Sequence, residues 1–147
     1  MMKWHRRFIA LAEHVATWSK DPSTQVGCIL VDDHRRVVGM GYNGFPRGVS
    51  DERERYEDRP TKYLMVQHAE ANAILNAVGK TEGSTAYVTH HPCSTCAGLL
   101  IQAGVRAVIT RKPSDGLQER FGTSFAASAI MFREAKVSLF LIKEDLK

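Results

Sequence analysis

His68-Ala69-Glu70 and Pro92-Cys93-Ser94-Thr95-Cys96 hold the side chains of this sequence best suited to chemistry. One imidazole and two thiols make a donor set for a divalent cation. Zinc takes such ligands tetrahedrally, and a catalytic site stops at three protein ligands so that water fills the fourth position. Two cysteines separated by two residues at the start of a helix put both sulfurs on one side of its first turn. Unpaired N–H groups and the helix dipole there favour thiolate over thiol. Glu70, two residues after the histidine, is too close in sequence to be an obvious fourth ligand. It suits a proton carrier, taking a proton from metal-activated water and returning protons to a ring nitrogen and a leaving amine. Two plainer readings compete: a structural zinc site closed by His90 or His91, and a redox pair of cysteines. Closure by a second histidine would leave Glu70 no water to act on, so the open site is preferred.

The elements that must position these residues are legible in the pattern of apolar side chains. Trp4, Phe8, Leu11, Val15 and Trp18 recur at helical spacing and predict an amphipathic helix from Met2 to about Lys20, stopped by Asp21-Pro22. Its Lys3, Arg6, Arg7 and Glu13 are read as a solvated face rather than a nucleic-acid or membrane contact. Val26–Val31 and Val37–Tyr42 are β-branched runs joined by a polar turn, and predict an antiparallel hairpin. Gly39 and Gly41 mark a bulge or a close backbone approach in its second strand. In the loop Gly41-Tyr42-Asn43-Gly44-Phe45-Pro46-Arg47-Gly48, Asn43 is placed to hydrogen-bond the sugar or base of a ligand. The alternative is a turn asparagine that satisfies its own backbone.

Ser50 to Thr61 is almost wholly polar and predicts an exposed loop with at most a helical turn. Further helices are predicted over Ala69–Val78, stopped by Gly79, over Cys96–Ala103, stopped by Gly104, and over Leu117–Ala135. In the last of these, Gly122, Thr123 and Ser124 weaken the early turns. Strands are predicted at Ala86–Thr89, Arg106–Thr110 and Val137–Ile142. Alternation of strand and helix with short links predicts parallel pairing in an α/β layered sheet, with ligands at strand ends and helix starts. The basic loop Arg111-Lys112-Pro113 is either a phosphate contact or a surface turn.

At 147 residues the chain suits a single domain, 1–147, with its own core. Cys28 lies in an apolar run and, with Cys93 and Cys96 assigned to metal, no disulfide framework is expected. No leader and no apolar run of membrane-spanning length is present, so a soluble, cytoplasmic protein is expected, or one of the host cytoplasm if the source is viral. The net charge of +4 favours anionic ligands, phosphorylated metabolites as much as nucleic acid.

Histidine-x-glutamate with proline-cysteine-x-x-cysteine is the signature of the zinc nucleobase deaminases. On His68-Ala69-Glu70-Ala71-Asn72-Ala73-Ile74 and Pro92–Cys96 the chain resembles the cytidine deaminase superfamily. Ser19-Lys20-Asp21-Pro22-Ser23-Thr24-Gln25-Val26-Gly27, the 41–48 loop and Ile101-Gln102-Ala103-Gly104-Val105 narrow the likeness to the deoxycytidylate (dCMP) deaminase family. That resemblance implies a three-layer fold with a five-stranded mixed sheet flanked by helices, and hydrolysis of dCMP to dUMP and ammonia for thymidylate synthesis. It implies Glu70 as the catalytic residue and one Zn2+ per chain on His68, Cys93 and Cys96, with Asn43, Ala69, Ser23 and Thr24 as substrate contacts. It also implies a homohexamer, activated by dCTP and inhibited by dTTP, each triphosphate with Mg2+. Lys20, Gly41, Gly44 and Arg47 are the candidate effector contacts. No stable nucleic-acid partner is expected. Competing readings are a zinc deaminase of another base, such as tRNA adenosine, cytidine, guanine or a pterin precursor, and a non-catalytic zinc protein that senses nucleotides. The chain departs from the family in His90-His91, where an apolar residue is common, and in lacking the extra ligands of a second, structural zinc.

Overall fold

Every residue of β1 (Gly27–Val31) is buried, because this strand has a partner on each edge and helices over both faces. The computed structural model describes residues 2–143. The chain runs α1 (Met2–Ala16), β1, β2 (Val37–Tyr42), α2 (Arg53–Glu57), α3 (Arg59–Met65), α4 (Ala69–Leu75) and β3 (Thr85–Val88). It continues through α5 (Ser94–Gln102), β4 (Ala107–Arg111) and α6 (Asp115–Glu134) to β5 (Ser138–Ile142). The sheet order is β2-β1-β3-β4-β5, antiparallel at β2-β1 and β1-β3 and parallel at β3-β4 and β4-β5. The expected mixed five-stranded sheet is therefore present.

Two-residue alternation along the strands divides the core between the two faces. Ile29, Val31, Tyr87, Ile109 and Ile142 meet Phe8, Ile9, Ala12 and Val15 of α1. Cys28, Leu30, Ala86, Val88 and Val108 face the other way, toward Ala69 and Ala73 of α4, Ala97 and Leu100 of α5 and Phe132 of α6. Cys28 is a core residue, as expected, and its thiol is pushed well up by burial.

Gly39 and Gly41 let α4 lie directly on β2. A Cβ at Gly39 would come within 2.6 Å of the Ala73 carbonyl oxygen, and one at Gly41 would overlap the Ala69 oxygen and Ala73 nitrogen. The close approach expected at these glycines is real. So is a bulge in the same strand: opposite Leu30 and Val31 the pairing steps from Gly39 to Val37, leaving Val38, beside Gly39, as the extra residue.

Three elements differ from expectation. α1 ends at Ala16, since Thr17, Trp18 and Ser19 donate their N–H groups to carbonyls three residues back, tightening the exit, and Trp18 is exposed. Residues 50–61 contain α2 and begin α3 instead of forming a loop. Asp58 caps α3 by accepting the Thr61 N–H, Pro60 sits in its first turn, and Tyr56 is buried with its ring stacked 4.0 Å from Phe45. The third is α4, which stops at Leu75, short of Gly79.

No described helix is long and apolar enough to cross a membrane. Because the β2–α4 approach leaves no room for a side chain, Gly41→Ala is expected to cost about 1–3 kcal/mol, seen as a lower denaturant midpoint with an unchanged slope.

Candidate active site

His68 is the N-cap of α4, Glu70 lies in that helix's first turn, and Cys93 is the N-cap of α5 with Cys96 one turn in. Both helices start at the same end of the sheet, where β3 gives out and β1 begins. The two cysteine sulfurs therefore approach one imidazole: Cys93 Sγ is 3.6 Å and Cys96 Sγ 3.3 Å from His68 Nδ1. His68 is exposed, Cys93 half-buried and Cys96 buried, so the three donors sit at the floor of a surface site.

The cysteine turn is held from behind by α6. Ser124 Oγ accepts the Ser94 N–H at 2.8 Å, and the Ser128 hydroxyl donates to the Pro92 carbonyl at 2.9 Å. Ser124, a weak helix former, thus has its side chain employed outside its own helix. Neither His90 nor His91 joins the three donors. His91 packs on Phe125 with its Nδ1 3.0 Å from the Pro92 oxygen, while burial lowers the pKa of both imidazoles.

The donor set fits a cation, since one imidazole nitrogen and two sulfurs lie within 4.8 Å of one another. A hydrogen bond from Cys96 lowers the Cys93 thiol to about 4, and the same bond, with burial, raises Cys96. The first thiol proton is thus easily lost and the second is held. A zinc ion among His68, Cys93 and Cys96 would replace that proton. Among the described residues a second cluster, Asp32, Asp33 and His34, lies in the β1–β2 turn. There Asp32 Oδ1 is taken by the N–H groups of His34 and Arg36, as in an ordinary Asx turn.

Glu70 is 4% exposed. Burial pushes its carboxyl up to about 7, against the pull of the His68 imidazole. A carboxyl group with that value can both take and give a proton near neutral pH.

The other expected residues form a second ring at the same sheet end. Asn43 is buried; its Oδ1 accepts the Val26 N–H at 2.8 Å and its Nδ2 donates to the Thr24 carbonyl at 2.9 Å. One lone pair and one N–H of the amide remain for a ligand. Ser23 and Thr24 are exposed. Their N–H groups both donate to Asp21 Oδ1, at 2.9 and 3.2 Å. Ala69 is fully buried, so what it can offer a ligand is backbone.

Gly44 exchanges two backbone hydrogen bonds with Gln67, beside His68, and Gly41 lies buried beneath α4 as a packing residue. Lys20 and Arg47 are exposed, Lys20 3.3 Å from Asp51 and Arg47 donating to Asn76. Arg111 is engaged by Glu13 of α1, which ties the basic loop to the body. Sequence reasoning missed Lys62, buried on α3 with its Nζ 2.7 Å from Asp21 Oδ2. A lone lysine in a polar stretch gives no periodic signal. The Asp-Pro-Ser-Thr turn that receives it was visible.

Comparison with known proteins agrees with this geometry. Residues 2–112 match the family model described as the cytidine and deoxycytidylate deaminase zinc-binding region. The chain belongs to that family. It is 42% identical over 144 residues to an uncharacterized deaminase of Aliivibrio fischeri, covering 98% of this chain and 97% of the relative. Over 114 residues it is 45% identical to the deoxycytidylate deaminase of Mus musculus, covering 74% of this chain and 64% of the relative. The cyanophage S-TIM5 dCMP deaminase, solved with dCMP and dUMP, shares the fold with a TM-score of 0.71 at 22% identity, over 93% of this chain and 95% of that one. The chain is thus a zinc-type deaminase, and its candidate active-site residues lie on two helix starts.

Two outcomes test the site. Cys96→Ala is expected to lose bound zinc, measured by elemental analysis, and to unfold at lower temperature, because metal binding contributes folding free energy in such sites. Asp21 has its carboxyl held below the ordinary 3.8 by Lys62 and the Ser23 and Thr24 donors, against burial. Its contribution is full above that value and is lost as pH falls through the lower folded one. The stability gap between wild type and Asp21→Asn should therefore be wide at neutral pH and narrow on the acid limb, as followed by urea unfolding.

Proposed function

We propose that this enzyme hydrolyses dCMP to dUMP and ammonia, a reaction that supplies dUMP for thymidylate synthesis. The observation that carries the reading is the buried Glu70 carboxyl in the first turn of α4, beside the His68, Cys93 and Cys96 donors. The choice of dCMP is supported by the 19–27 and 41–48 blocks and by similarity to relatives such as the mouse deoxycytidylate deaminase. His68, Cys93 and Cys96 would hold a zinc ion, which would supply Lewis-acid activation of the attacking water.

Glu70 takes the proton that water gives up as its oxygen attacks C4 of the cytosine, and delivers it to N3. It then takes the remaining hydroxyl proton and passes it to the exocyclic amine, which leaves as ammonia while the ring keeps N3–H and a C4 carbonyl. Asn43, with its spare lone pair and N–H, is suited to the sugar, and Ser23 and Thr24 to the outer part of the nucleotide. The backbone at Ala69 is suited to the ring edge.

Regulation by dCTP and dTTP with Mg2+ belongs to the same proposal, with exposed Lys20 and Arg47 as phosphate contacts and Gly44 as the shaping residue of the loop between them. Assembly into a homo-oligomer is supported by apolar side chains left in solvent: Leu64 at 86%, Val78 at 82% and Leu75 at 79% exposure.

Glu70→Gln is expected to keep zinc and lose turnover by roughly 10²–10⁴-fold. Ammonia release from dCMP should exceed that from CMP, cytidine, guanine and a tRNA. Turnover confined to nucleosides or RNA would replace the substrate, and absence of turnover on every substrate would support a nucleotide sensor.

A further inference from the structure

Lys62 is 9% exposed, and lysine is rarely buried without a specific partner. Its ammonium lies 2.7 Å from Asp21 Oδ2 and donates to Ser23 Oγ at 3.2 Å. Asp21, itself 1% exposed, uses its other oxygen to hold the Ser23 N–H, the Ser23 hydroxyl at 3.0 Å and the Thr24 N–H. The Thr24 carbonyl in turn holds the Asn43 amide, which also braces Val26. A continuous polar path therefore runs from Lys62 to Asn43.

The same lysine is joined to the metal ligands from its other side. Its helix, α3, ends at Met65, and Gln67 is clamped to Gly44 by hydrogen bonds of 2.8 and 3.1 Å, immediately before His68. Asn43 is thus fixed both to the Asp21–Thr24 turn and to the segment that delivers His68. Lys62 closes this circuit, because it is the point at which α3 touches the turn through charge.

Resting on the nucleotide-deaminase reading above, we propose that Lys62 is a positioning residue. Through its buried ion pair with Asp21 it fixes the Ser23-Thr24 turn and the Asn43 amide relative to His68, and so sets affinity for the nucleotide. A buried ion pair is a weak source of stability but a strong source of register, since removing one partner leaves the other as an uncompensated buried charge. Without the ammonium, Asp21 turns toward water or takes up a proton, and the turn it organises loses its anchor. Displacing binding groups by about an ångström is enough to cost up to a hundredfold in catalysis.

The test is Lys62→Met in the full zinc-loaded chain, with zinc content, amide hydrogen exchange and steady-state kinetics on dCMP as readouts. Zinc should stay at the wild-type level. Exchange should quicken at Ser23, Thr24, Val26 and Asn43, and KM should rise roughly ten- to a hundredfold with a much smaller fall in kcat. Lys62→Arg, which keeps the charge, should recover most of KM. Asp21→Asn should raise KM comparably, and the double variant should be no worse than Lys62→Met alone.

Wild-type KM and exchange in Lys62→Met would overturn the proposal. So would fully additive losses in the double variant, which would mean that Lys62 meets the nucleotide independently of Asp21. If Lys62→Met does not fold, Asp21→Asn decides by the same exchange and KM measurements. If wild type proves inactive on dCMP, it is the functional reading that fails, and the exchange rates alone still uphold or overturn the positioning role.

Discussion

Burying a carboxyl group beside two thiols is the demand this molecule has to meet. Each of these groups is acidic, and each loses hydration on burial, so without compensation they hold protons that the chemistry needs free. Cys96 is raised by its hydrogen bond with Cys93, by burial and by the Glu70 charge, and Glu70 by burial and the Cys93 charge, while Cys93 takes the one favourable position. The compensation available is positive: the first turns of α4 and α5, the imidazole of His68, and the cation that the three donors fit. The rest of the fold serves to bring those first turns together. β2 gives up two side chains so that α4 can lie on it, and α6 extends Ser124 and Ser128 to fix the backbone that carries Cys93.

Around this centre the residues proposed to meet the substrate offer mainly backbone and hydrogen-bonded turns rather than charged side chains. Asn43 braces the strand entry at Val26 while leaving half its amide free, which removes the choice between a ligand contact and a self-satisfied turn: the geometry allows both at once. The cost of such a design is that its precision depends on residues several bonds away. Asp21 orders Ser23 and Thr24, and Lys62 orders Asp21. The active site therefore has an inner shell read from motifs and an outer one visible only in three dimensions.

That division explains what the sequence disclosed. The four residues of the centre were legible because metal chemistry restricts both residue type and spacing, and the strands because two faces of a sheet impose period-two alternation on Cys28 to Val31. The glycines of β2 announced a close approach without naming α4 as the neighbour. Residues 50–61 misled because their charge pattern describes a solvated surface equally well in a loop or a short helix. What decides for helix is the Asp58 cap, Pro60 and a single buried ring, Tyr56. Lys62 was invisible for a related reason: burial of a lysine depends on a partner forty-one residues earlier in the chain, and no local pattern encodes such a pairing.

The segment that carries α2 and α3 illustrates how unevenly charge contributes to holding this structure. Arg53 with Glu57, Arg55 with Glu52 and Lys20 with Asp51 are solvent-exposed pairs, each of a kind usually contributing about 0–1 kcal/mol and weakened by salt. They cannot account for how the segment is attached. The Tyr56 ring on Phe45 can, aided by its hydroxyl, which donates to Asp51 at 2.8 Å and whose pKa burial and that carboxylate push up to about 12. The second attachment is Lys62 on Asp21, out of reach of screening salt. A segment of alternating surface charge is thus fastened to the same end of the sheet by one aromatic stack and one buried ion pair, both landing beside residues proposed to contact the nucleotide. The placement of this segment and the shape of the proposed site are consequently linked, through two contacts rather than through the many charges that dominate its sequence.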